Sequence, residues 1–222
     1  MKHLSRMITA HNCFCSFLYN LALLVLIPVF LIPVAAIIMP FDVYLGLIII
    51  MTILSSYTVF LDYLTFNGIT AKGFSLGMIK NSPYAESFLK DAILADQIRR
   101  FIQIIIPPTI SMIIAAITSP KGTDIRLIVF ALTLIFLNYG TTTGILVLMR
   151  YILIGRAYAY ISMALSIIFV LSNAGMMLLF LHNSVHIPFM IWLPITLILS
   201  VLISILAFRH TTSHCAVNLK EI

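Results

Sequence analysis

Residues 127–149 read LIVFALTLIFLNYGTTTGILVLM, an apolar run without one charged side chain. A bilayer core about 30 Å thick needs roughly 20 such residues in a helix. The run is continuous rather than alternating, so it reads as a helix and not as a strand of a transmembrane barrel. Residues 16–38, 43–61, 101–118, 157–181 and 189–208 read the same way. Turn chemistry separates them: Asp42 after Pro40, the Ser119-Pro120-Lys121-Gly122 step, the segment 150–156, and the segment 182–188.

Composition agrees with that reading. The 222 residues are 62% hydrophobic and 9% charged, with a mean hydropathy of +1.13. A soluble domain carries about 25% charged residues, so a soluble globular enzyme, a disordered chain and a fibrous repeat are excluded. The expected fold is all-α: a polytopic membrane helix bundle with six transmembrane helices in one transmembrane domain, residues 1–222. The first apolar stretch has a basic start, Lys2 and Arg6. It is longer than the apolar part of a signal peptide and lacks a small-residue cleavage pattern, so it reads as a retained span.

Basic residues set the orientation. With the N-terminus in the cytosol, all of the 13 lysines and arginines except Lys121 and Arg126 lie inside, as the positive-inside rule asks. The C-terminus is then cytosolic too. The net charge of +6 matches an anionic lipid bilayer. Scattered over loops, it does not read as a nucleic-acid surface. Cys13, Cys15 and Cys215 fall on the cytosolic side, where disulfides are not expected. Cys13-Phe14-Cys15 with His11 does not have the spacing of a zinc signature, and His182 and His186, four apart, lack the glutamate of a His-Glu-x-x-His motif and read as an interfacial loop pair, so no metal is expected.

One connection, residues 62–100, is long and holds most of the charge. A structureless loop of that length is unusual in a compact protein. Its second half reads as an amphipathic cytosolic helix leading into the third span. Ser82 is a capping residue and Pro83 suits a first helical position. Tyr84, Ala85, Phe88, Leu89, Ala92, Ala95 and Ile98 recur at three- and four-residue spacing. Glu86 with Lys90, and Asp96 with Arg100, are i,i+4 ion pairs. Residues 72–80 read as a short helix or turn at the membrane surface, and 1–15 as an interfacial segment. The helix either rests on lipid headgroups or docks a cytosolic partner.

Six spans, cytosolic ends, a leading interfacial segment and the long second connection resemble the permease subunit of a type-2 class ABC exporter. The stretch Met78-Ile79-Lys80-Asn81-Ser82-Pro83, followed by a helix, resembles that family's coupling region. The basic run often found after the proline is here Tyr84-Ala85-Glu86. The small size resembles bacterial exporters of peptide toxins, bacteriocins and amphipathic peptides, among them the phenol-soluble modulin exporters. The resemblance implies an ATPase-coupling set of Lys80, Ser82, Pro83, Tyr84, Glu86, Phe88, Lys90 and Asp91. It implies a complex of two permeases and two cytosolic ABC ATPase subunits in a bacterial plasma membrane. The chain has no Gly-x-x-x-x-Gly-Lys-Ser/Thr loop, so it is not expected to be an enzyme. ATP and Mg are expected in the partner ATPase, and no cofactor on this chain.

The fourth span holds Asn138-Tyr139-Gly140-Thr141-Thr142-Thr143-Gly144 near its centre. Gly140 and Gly144 share a face and permit close helix approach. Asn138, Thr141 and Thr142 lie on roughly the opposite face and either line a transport path or bond a neighbouring helix. Asn173, at similar depth in the fifth span, is a candidate partner. Pro28, Pro33, Pro107, Pro108 and Pro194 interrupt spans. Asp62 reads as an interfacial charge, and Trp192 as an interface anchor. Two other classes stay open: the substrate-binding membrane subunit of a vitamin importer, and a small membrane enzyme. No paired carboxylates or nucleophile elbow favour the latter, and a membrane scaffold or immunity protein takes what remains.

Overall fold

The structure, a computed structural model, describes residues 2–14, 25–39, 41–71, 83–118, 125–152 and 189–221, with isolated positions at 21, 160, 163–165, 167, 168 and 171. Every element among them is helical: α1 (Lys2–Phe14), α2 (Ile27–Ile38), α3 (Val43–Ala71), α4 (Ala85–Thr118), α5 (Ile125–Ile152) and α6 (Phe189–Glu221).

Three helices are long and apolar enough to cross a membrane, through Ala85–Ile117, Ile125–Ile145 and Ile191–His210, and Val43–Val59 is a shorter apolar run. They correspond to the third, fourth, sixth and second stretches read from the sequence. Most of the fifth stretch, 157–181, and the start of the first lie outside the described residues.

Asp42 starts α3. Its Oδ1 accepts the N–H groups of Tyr44 at 2.9 Å and Leu45 at 3.2 Å, satisfying two donors that the first turn leaves open. The chain reverses just before it, with Phe41 and Asp42 N–H both donating to the Ile38 carbonyl. Gly46 lets this turn close, because a Cβ there would lie 2.8 Å from Met39 Cγ.

The connection 62–100 is more helical than expected. Its first ten residues continue α3 as far as Ala71, and from Ala85 it is one helix with the third span. The start of α4 also differs from the expectation. Pro83 and Tyr84 form a turn, and the Tyr84 carbonyl accepts the Phe88 N–H at 3.0 Å and the Ser87 hydroxyl at 3.0 Å. Tyr84 therefore supplies a carbonyl to the first turn, and Pro83 precedes the helix. Lys80, Ser82 and the segment 72–80 lie outside the described residues.

The core is shared by α2, α3, α4 and α5. Leu31, Met39, Leu47, Met51, Leu54, Ile104 and Leu134 are buried in one cluster, and Tyr44 meets Phe130 edge-on at 5.1 Å. α6 joins through its extensive pairing with α5. α4 is the hub of the described helices, since each of the other five packs on it.

Candidate functional site

Four charged residues of the second connection, Asp91, Asp96, Arg99 and Arg100, are buried. Asp91 forms an ion pair with Arg6 Nε of α1. One turn and a half further on, Asp96 Oδ1 lies 3.5 Å from His11 Nε2. Met7, Ala10 and His11 of α1 are buried. The expected interfacial segment is thus a helix docked on α4.

Asp96 gathers more than His11. Arg99 Nη2 donates to its Oδ1 at 2.7 Å, and Arg100 Nη2 donates to its Oδ2. Arg100 is 1% exposed, so its charge depends on this carboxylate rather than on water. The polar chain then leaves α4. Arg99 Nη1 donates to Gln103 Oε1 at 3.3 Å, Gln103 Nε2 to Thr58 Oγ1 at 3.1 Å, and Thr58 Oγ1 to the Leu54 carbonyl at 2.7 Å. A separate link reaches α6, where Gln97 Nε2 donates to the Ser204 carbonyl at 3.2 Å. The Ser204 hydroxyl in turn lies 3.2 Å from the Tyr139 hydroxyl of α5. The Tyr139 ring stands edge-on to Phe101 at 5.0 Å.

The first turns of α4 are different in character. Pro83, Glu86, Ser87 and Lys90 are exposed, and Tyr84 is 74% exposed. Glu86 and Lys90 form the expected pair at 2.7 Å. Phe88 is half-buried. Of the eight coupling residues, the described ones therefore divide: Pro83, Tyr84, Glu86 and Lys90 form an open tip, while Asp91 is held by α1.

The polar centre of α5 divides by face, as its spacing requires. Ser55 Oγ of α3 donates to Asn138 Oδ1 at 2.7 Å, and Asn138 Nδ2 donates to the Leu134 carbonyl at 2.9 Å. The partner of Asn138 is thus Ser55; Asn173 lies outside the described residues. Thr141 and Thr142 donate to the carbonyls of Leu137 and Asn138 on their own helix. Gly140 faces α6, where a Cβ would come within 3.1 Å of Ser200 Cα. Gly144 has more room, with Ile203 Cγ2 at 3.4 Å.

Sequence reading missed Arg6, His11, Gln97, Arg99, Gln103, Ser55 and Thr58. One signal was available. Arg6 and His11 are five residues apart, as are Asp91 and Asp96, so basic and acidic side chains repeat at equal spacing on two helices. No group of three or more metal-binding side chains occurs among the described residues.

Described elements that are all helical, three of them long and apolar enough to span a bilayer, put the chain in the class of helical membrane proteins. No family model, curated protein or solved structure matches the chain.

Proposed function

We propose that this chain is the permease subunit of an ATP-driven exporter of the type-2 ABC class. In this reading it pairs with a second permease and with separate cytosolic ATPase subunits in a bacterial plasma membrane. The cargo is hydrophobic or amphipathic, such as a peptide toxin or antimicrobial peptide, because the run 127–149 carries no charged side chain.

One observation carries the reading: α4 is a single helix running from an exposed tip to the buried core. At 1.5 Å per residue its 34 residues measure about 51 Å, more than the bilayer core. A push on Tyr84, Glu86 and Lys90 therefore reaches Gln103 and Ile104 without crossing a loop. Closure of the ATPases presses on the tip, and α4 transmits the displacement to every helix packed on it.

The test is co-purification. The tagged wild-type chain, expressed with its neighbouring genes, should bring down a protein that hydrolyses ATP. The exposed-tip variant Tyr84→Ala/Glu86→Ala/Lys90→Ala should lose that partner while keeping its own thermal transition. A wild-type preparation without ATPase activity refutes the permease reading. Equal recovery with the variant refutes the assignment of the tip.

A further inference from the structure

Pro107 and Pro108 lie inside α4. A proline has no N–H to donate and pushes the residue before it away from helical geometry. Two in succession leave the carbonyls of Gln103 and Ile104 without their helical donors. Both residues are fully buried, so water does not replace the lost bonds. Ile106 and Pro107 are both held helical against the preference of a residue that precedes proline.

The two sides of this step are fastened differently. Before it, beside the apolar contacts of Phe101 and Ile104, polar side-chain links from α4 reach three helices: Asp91 and Asp96 to α1, Gln97 to α6, Gln103 to α3. After it, Met112 and Ala115 make apolar contacts with the core. Thr52, Thr58 and Thr133 each donate to the carbonyl four residues earlier. Ser111 does not. Its hydroxyl is buried and has no partner among the described residues, although Pro107 supplies the carbonyl four residues earlier.

We propose that Pro107 and Pro108 form a hinge, and that residues 85–106 swing as one lever, with α1 fastened alongside, against the half of α4 that begins at Thr109. The broken ladder lowers the resistance to bending at that point, and the register-matched pairs Arg6–Asp91 and His11–Asp96 carry α1 with the lever. The links to Thr58 and Ser204 pass the swing to α3 and α6. This property belongs to the chain alone, so it stands or falls separately from the permease reading.

The experiment measures distances between paired spin labels in the purified full-length chain in lipid nanodiscs, with Cys13, Cys15 and Cys215 replaced by serine. Labels at Tyr84 and Ile113, both exposed, bracket the hinge. Labels at Ser5 and Ser87 report whether α1 rides on the lever. The wild-type 84–113 distribution should be broad or two-peaked. In Pro107→Ala/Pro108→Ala it should narrow to one distance near about 43 Å, the length of an unbroken helix between those positions. The 5–87 distance should be single and narrow in both. A single narrow 84–113 distance in the wild type overturns the hinge. A broad 5–87 distance overturns the joint motion of α1. Should the double variant fail to fold, the wild-type distribution still decides, with Pro108→Ala as the comparison.

Discussion

Arg6 and Asp91 are ion-paired across 85 residues of sequence, and His11 and Asp96 meet across the same 85. An equal offset at two points means that α1 and α4 run parallel and in register. An antiparallel pair would change its offset by ten between these positions. The register predicts the neighbours that no charge marks: Met7 with Ala92, and Ala10 with Ala95. With the native cysteines replaced, Ala10→Cys and Ala95→Cys should cross-link on mild oxidation. Ala10→Cys with Glu86→Cys should not. Efficient cross-linking of the second pair would contradict the register.

The two acids on α4 differ in what depends on them. Asp96 neutralises Arg100, which is sealed from water, whereas the side chain of Arg6 is 54% exposed. Removing one partner of a buried ion pair costs about 3–5 kcal/mol, and a half-exposed pair contributes only about 0–1 kcal/mol. Asp96→Asn should therefore lower the thermal transition in detergent far more than Asp91→Asn. Equal losses would mean that Arg100 finds water after all.

The glycines of α5 should part company under the same substitution. Gly140→Ala drives a methyl group towards the Ser200 backbone, which side-chain rotation does not relieve, at a cost of about 1–3 kcal/mol. Gly144→Ala meets a side-chain methyl group of Ile203 at ordinary contact distance and should be close to neutral. Thermal unfolding of both variants checks the ranking.

Ser55 and Asn138 make a testable interhelical bond. Such bonds in membrane bundles contribute about 0.6 kcal/mol, rising to about 1.7 kcal/mol. A double-mutant cycle of Ser55→Ala and Asn138→Ala should return a coupling in that range. Zero coupling would mean that the two side chains act independently, and the polar face of α5 would regain its reading as a transport lining.

Apolar runs made the helices legible, and turn chemistry placed the start of one of them, since α3 begins at Val43 after Asp42. The far ends of α3 and α6 were not legible. Both helices continue ten residues or more beyond their apolar stretches, to Ala71 and Glu221. Hydropathy marks where a helix meets lipid, not where its backbone hydrogen bonds stop. Glu86–Lys90 and Asp96–Arg100 were readable because each pair lies within one helical turn. The docking of α1 was not, because its ion pairs join residues that no local periodicity connects. The same holds for Asn138: its polarity demanded a partner, and only the fold chooses Ser55.

The offset of 85 residues also sets a timetable for biosynthesis. At about 5–20 residues per second a ribosome needs about 4–17 s to deliver Asp91 after Arg6. During that interval Arg6 and His11 stand without the two aspartates that receive them in the folded chain. The leading helix can therefore dock only after translation has passed the second aspartate.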